Sequence, residues 1–295
     1  MQQTITFLKG HGTGNDFVIL PDENAELALD ADLVAALCHR RFGIGADGVL
    51  RVARAAALVS AGVLDALPHG VDGDDWFMDY YNADGSIAEM CGNGVRVFAH
   101  YVASRNLAEG PELRVGTRAG LRPVTVSEVG ERHATVTVGM GAVTVLGAAS
   151  ARVGGGMVGG VGVDVGNPHL ACVLPDADAA TIAGLALGGP ETVEGPEDMF
   201  PAGLNLELLT PLRDGAVDMR VIERGVGETM SCGTGTVASA VAALADAGEI
   251  AGSVTVRVPG GEVVVTLDGE GGATLSGPSV IHAQGTVDPE ALTVR

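Results

Sequence analysis

Cys91 and Cys232 each open the same short string, Cys91-Gly-Asn-Gly94 in the first half of the chain and Cys232-Gly-Thr-Gly235 in the second, and an apolar helical pattern follows each. Glycines here let successive backbone N–H groups converge on one spot, and a helix start adds positive potential there. A sulfur at that place is biased toward thiolate, and the same donors can hold a carboxylate. The helix end contributes up to about 2 kcal/mol, enough to bring a thiol near neutral pH without a metal. Two matched thiols suit one reaction well: one removes a proton from one side of a carbon, the other delivers a proton to the opposite side, and the centre inverts. An amino-acid α-proton is weakly acidic, so fixed donors must stabilise the charge that develops on the carboxylate, and two helix N-termini can supply them. Cys38, in an apolar helix pattern, and Cys172, in a strand pattern, lack such turns and read as core residues.

The elements that must position these turns also repeat. Gly14-Asn15-Asp-Phe-Val-Ile-Leu20 is echoed by Gly166-Asn167-Pro-His-Leu-Ala-Cys-Val-Leu174, in the same order relative to the cysteine strings and about half a chain length apart. Two motifs repeated in order imply two related domains, with the boundary near Arg132 in the polar stretch Glu128 to His133. Alternating or β-rich runs at Thr4–Leu8, Phe17–Leu20, Val49–Val52, Trp76–Tyr81, Leu121–Val126, Ala134–Val138, Ala142–Leu146, His169–Leu174, Leu204–Leu208, Val217–Ile222, Val254–Val258 and Glu262–Leu267 predict strands. Helical spacing predicts a helix capped by Asp30, one after Asn93 and one after Thr234. Strands outnumber helices without alternating with them, which favours α+β over a doubly wound sheet. The Ala- and Gly-rich stretch Ala53 to Asp75 reads as an enlarged, solvent-facing hairpin loop.

The 295 residues carry 17 basic and 37 acidic side chains for a net charge of −20, a field that repels polyanions and argues against nucleic-acid binding. Lys9 is the single lysine; it stands beside Gly10-His11-Gly12 rather than among phosphate-cradling features, so a pyridoxal cofactor is not expected. The four cysteines form no C-x-x-C and the histidines have no metal-ligand spacing, so no metal is expected either. No leader and no membrane-length apolar run is readable, which predicts a cytoplasmic protein. Gly43-Ile-Gly-Ala-Asp-Gly48 and Gly154-Gly-Gly-Met-Val-Gly159 both satisfy G-x-G-x-x-G, but neither opens a helix after a strand, and neither reads as a dinucleotide site.

Taken together, Phe7-Leu-Lys-Gly-His-Gly-Thr-Gly-Asn15-Asp16-Phe, Arg41-Phe-Gly-Ile-Gly-Ala-Asp47-Gly, Tyr81-Asn82-Ala-Asp-Gly-Ser86, Cys91-Gly-Asn-Gly, Gly166-Asn-Pro-His169 and Glu223-Arg224-Gly-Val-Gly-Glu-Thr229 with Cys232-Gly-Thr-Gly resemble the diaminopimelate epimerases over nearly the whole chain. The resemblance implies an α+β fold of two pseudo-twofold-related domains, each a curled, mostly antiparallel sheet around a central helix, with residues 1–132 plus 279–295 in one and 133–278 in the other. It implies cofactor-independent conversion of LL-2,6-diaminopimelate to the meso form, on the route to lysine and peptidoglycan, by a homodimer. Carried over, Cys91 and Cys232 are the acid/base residues, by family convention donor and acceptor in the forward direction. His169 and Glu223 tune the thiols. Asn15, Asn82, Asn167, Asn205, the backbones of Gly92-Asn93 and Gly233-Thr234, Glu223 and Arg224 contact the substrate. Gly48 departs from the glutamine many members carry, so that contact is absent or is made by backbone or water. A proline or hydroxyproline racemase of related architecture is the nearest alternative; a cysteine-nucleophile hydrolase would leave one of the two turns unused.

Overall fold

A computed structural model describes residues 4–292; the first and last three residues of the expected first domain lie outside them. The chain forms two compact units, one of residues up to Val138 together with those from Pro278 on, the other of Gly139–Gly277.

The first unit runs β1 (Ile5–Gly12), β2 (Asn15–Pro21), α1 (Ala31–Cys38), β3 (Gly48–Arg54), α2 (Ala55–Ser60), β4 (Trp76–Asn82), α3 (Gly92–Ser104), β5 (Glu112–Thr117), β6 (Gly120–Ser127) and β7 (His133–Ala142), the last passing the unit boundary. β2 and β3 pair in parallel, with Phe17 opposite Gly48, whereas β3–β4, β1–β2, β5–β6 and β6–β7 are antiparallel. β3 is buried along both faces, as a parallel-paired central strand should be. α3 touches β1 through β6, and every residue from Gly92 to Val102 is buried, so the sheet curls around this helix. Asp30 caps α1 as its sequence spacing requires, its carboxylate accepting from the Leu33 N–H at 2.8 Å.

The second unit runs β8 (Thr144–Val153), β9 (Gly156–Asp164), β10 (Pro168–Val173), α4 (Ala179–Ala183), β11 (Val193–Glu194), β12 (Asn205–Leu209), β13 (Ala216–Glu223), β14 (Gly227–Thr229), α5 (Gly233–Asp246), β15 (Gly252–Val258), β16 (Gly261–Leu267) and the first part of β17 (Gly272–Val287), whose later residues pair with β1. β10 and β12 are parallel, with His169 opposite Asn205, and β12–β13 is antiparallel. α5 is built mostly of Ala, Val, Gly, Ser and Thr, and these small side chains let strands β9, β10, β12, β13, β15 and β16 all approach it. Close backbone approach replaces aromatic bulk here, which is how a chain only 3% aromatic closes a core.

The stretch Ala53 to Asp75 corrects the expectation of a solvent-facing loop. Its α2 begins directly after β3, and Ala55, Leu58, Leu64 and Val71 are buried with Ala53 and Phe77 in a small core of their own. Arg114 pins its far end, reaching Asp75 at 2.9 Å and Asp72 at 3.0 Å. Composition misled because alanine and glycine signal turns and tight packing equally well.

Candidate active site

Each helix start is built by its own cysteine. Cys91 is the N-cap of α3, its Sγ accepting from the Gly94 N–H at 3.4 Å; Cys232 is the N-cap of α5, its Sγ accepting from the Gly235 N–H at 3.4 Å. The first helical hydrogen bonds match too, from the Val95 N–H to the Cys91 carbonyl at 2.8 Å and from the Thr236 N–H to the Cys232 carbonyl at 2.9 Å. The helices start at Gly92 and Gly233, two residues earlier than helical spacing puts them, and both cysteines have the extended backbone of a capping residue.

In the first unit the remaining site residues gather at one end of the central strands. Asn15 opens β2, Gly48 opens β3 and Asn82 closes β4, with Gly48 directly opposite Asn82. The Asn15 carbonyl lies 3.5 Å from the Cys91 Sγ and accepts from the Asn93 amide at 3.3 Å, while its own amide donates to Asp47 at 2.9 Å. Asp47 is steadied by Arg40 at 2.6 Å, and Arg40 also chelates Asp16, which Lys9 binds from the other side. These cations hold the Asp16 carboxyl far below the usual carboxylate range despite its partial burial. Arg96, fully buried, donates to Asn93 at 2.6 Å, Thr13 at 2.9 Å and the Pro278 carbonyl at 2.7 Å. Burial pulls Arg96 down to about 10, against a favourable Coulombic interaction with Cys91. Asn82 donates to the Ser86 hydroxyl at 3.0 Å. At Gly48 a Cβ would come within 2.5 Å of the Tyr81 carbonyl and 2.7 Å of the Tyr80 ring, so the larger side chain common at this place does not fit unless those neighbours shift.

The second unit surrounds its thiol differently. Glu223 closes β13; its carboxylate accepts from the Thr229 hydroxyl and is hydrogen-bonded with the Cys232 side chain. Cys232 is buried, and burial together with the nearby carboxylates of Glu223 and Glu207 pushes its thiol well above the ordinary range, against the hydrogen bonds from Thr234 and the Gly235 N–H. Burial likewise raises Glu223. His169 does not bond to a thiol: its Nδ1 is 2.7 Å from Glu207 and its Nε2 is 3.1 Å from the Asn167 carbonyl oxygen. Asn205 ties two segments together, donating to the Pro168 carbonyl at 3.1 Å and accepting from the Arg224 N–H at 2.9 Å. The exposed Arg224 guanidinium donates to the Ala202 carbonyl at 2.9 Å. Gly233 is buried and Thr234 half-buried at the helix start. Within this unit His169, Glu223, Glu207 and Cys232 thus form one electrostatically linked group.

Cys38 and Cys172 are buried, and burial pushes each up to about 12, as core thiols. Among the described residues no cluster of His, Cys, Asp or Glu is arranged to hold a metal ion.

The model of the diaminopimelate epimerase family matches residues 7–146 and 161–282. The chain is 57% identical to diaminopimelate epimerase of Rhodococcus erythropolis over 284 residues, covering 96% of both proteins. The chain belongs to the diaminopimelate epimerase family. It is also 58% identical to diaminopimelate epimerase of Mycobacterium tuberculosis over 279 residues, 95% of this chain and 96% of that one. Among solved structures it shares its fold with a hydroxyproline epimerase from Agrobacterium vitis (TM-score 0.63, 16% identity, 97% and 94% of the two chains). A phenazine biosynthesis protein of the PhzF family from Bacillus anthracis is comparably similar (TM-score 0.59, 13% identity, 97% and 99%). The epimerase-family fold is therefore shared well beyond close relatives.

Sequence reasoning missed Glu207, Arg96 and Asp47. Glu207 stands between Leu206 and Leu208, and Arg96 between Val95 and Val97; a charged residue inside an apolar run was the available signal, since such a group is buried only with partners.

Proposed function

We propose that this chain interconverts LL- and meso-2,6-diaminopimelate without a bound cofactor, with Cys91 and Cys232 as the acid/base pair. The observation that carries this reading is the duplicated cap: in each unit a thiol accepts from the N–H three residues ahead, at 3.4 Å, at the start of a long helix. A single nucleophile would have no use for the second copy.

One cysteine acts as thiolate and takes the α-proton, forming its S–H bond as the C–H electron pair moves into the substrate carboxylate. The other, as thiol, gives its proton to the opposite face of the carbon. The enzyme is left with thiol and thiolate exchanged, ready for the reverse reaction. In the direction from LL to meso, Cys91 gives and Cys232 takes. Charge growing on the carboxylate is met by the first backbone N–H groups of α3 and α5, at Gly92-Asn93 and Gly233-Thr234, which have no acceptor within their helices. A well-aimed donor of this kind is worth about 3 kcal/mol in the transition state. Asn15, Asn82, Asn167 and Asn205 offer both donor and acceptor to a zwitterion, Arg224 clamps a carboxylate, and Glu223 receives an ammonium while tuning Cys232. Gly48 adds no side-chain contact. The matched caps support a pseudo-twofold relation of the two halves. The reading includes action as a cytoplasmic homodimer in the supply of lysine and peptidoglycan precursors; no described helix is long and apolar enough to cross a membrane.

The test is incubation of purified protein with LL-diaminopimelate in deuterium oxide, with no added pyridoxal phosphate or metal. Deuterium at one α-carbon alongside the meso isomer is expected. Inversion of proline or hydroxyproline in its place would favour the racemase alternative, and exchange with no candidate would refute the reading.

A further inference from the structure

Glu207 lies in the middle of β12, fully buried, beside residues that hold the Cys232 turn. Its Oε1 is 2.7 Å from His169 Nδ1, and its Oε2 is buried without a hydrogen-bond partner. A Cβ on Gly235 would lie 2.6 Å from the same Oε1, so the glycine whose N–H caps Cys232 leaves room for this carboxylate. His169, also fully buried, passes the contact on through Nε2 to Asn167. A leucine would serve the core at position 207 at no desolvation cost, whereas a carboxylate here is costly unless something uses it.

We infer that Glu207 is a positioning residue for the epimerisation: it accepts from the Nδ1–H of His169, fixes the ring so that its Nε2–H is given to the Asn167 side-chain oxygen, and sets the charge against which Cys232 ionises. The inference rests on the proposed function. A carboxylate bonded to Nδ1 fixes the ring orientation in the way an outer carboxylate fixes a metal-bound histidine. The groups facing Glu207 are His169 and Cys172 from β10, Glu223 from β13, and Cys232 with Gly235 at the start of α5. Burial pushes the Glu207 carboxyl up and His169 holds it down; ionised beside His169, Glu207 acts with Glu223 against a thiolate at Cys232, so loss of either charge makes that thiolate easier to form.

Glu207→Gln keeps the shape and can still accept from Nδ1–H, but removes the charge. The expected result is a kcat lower by about 10- to 100-fold, the range for loss of such an orienting carboxylate. The limb of the kcat/KM profile that reports Cys232 should also move to lower pH. A residue with a purely structural duty would not move that limb. Unchanged kcat and an unmoved limb in the folded variant would overturn the inference while the wild-type exchange in deuterium oxide still stood. Failure of wild-type exchange would instead sink the proposed function. If Glu207→Gln does not fold, nitrogen-15 NMR of histidine-labelled wild-type protein decides: His169 Nδ1 should be protonated across the active pH range, and an unprotonated Nδ1 overturns the inference.

Discussion

The two thiols share one backbone cap and differ in nearly everything around it. Cys91 is half-buried, faces the side-chain oxygen of Asn15, and interacts favourably with the buried guanidinium of Arg96. Cys232 is buried, hydrogen-bonded with Glu223 and within the field of Glu207. A duplicated turn therefore supplies equal donors, and the side chains packed around it decide which thiol holds its proton. The free enzyme is accordingly biased toward Cys232 as thiol.

The sharpest way to break this comparison is to remove one thiol at a time. Cys91→Ala and Cys232→Ala should each lower the rate of inversion by about 10²- to 10⁴-fold or more, measured by chiral separation of the isomers. The double variant should be no worse than either single one, because the two act as a unit. Substantial activity in only one of the single variants would reduce the pair to one working thiol. Next in size, Glu223→Gln should cost about 10- to 100-fold in kcat and shift alkylation of Cys232 toward lower pH, because a neutral amide no longer repels the thiolate. A shift toward higher pH would reverse the sign assigned to Glu223. On the other side, Arg96→Met leaves the Asn93 carbonyl without its buried donor and should destabilise the protein by about 2 kcal/mol in denaturant unfolding, with slower alkylation of Cys91. Smallest of all, Cys38→Ala and Cys172→Ala should keep full activity and cost about 1 kcal/mol of stability. Loss of activity in either would mean that a thiol assigned to the core takes part in the chemistry.

Much of this asymmetry was invisible in the sequence, although the symmetry was not. The paired Cys-Gly-x-Gly turns, the Asp30 cap and the alternating strands are local patterns, and each appears in the structure within a few residues of its expected place. β5, β9 and the long β17 lie outside the expected runs: Glu112–Thr117, Gly156–Asp164 and Gly272–Val287 are broken by charge or glycine, and pairing with neighbours rather than propensity makes them strands. His169 was expected beside a thiol and instead reaches Glu207 and Asn167, a choice made by the parallel register of β10 and β12 that no local pattern encodes. Arg96 and Glu207 come near the cysteines only through tertiary packing, so their role was legible only as charges in apolar runs.

The central claim, two thiols with the same cap and opposed electrostatics, is tested most directly by site-resolved alkylation of the unliganded protein as a function of pH, with each cysteine followed by mass spectrometry. Cys91 should be modified first and at lower pH, with Cys232 lagging until more alkaline conditions. Equal reactivity across the range, or Cys232 reacting before Cys91, would contradict it.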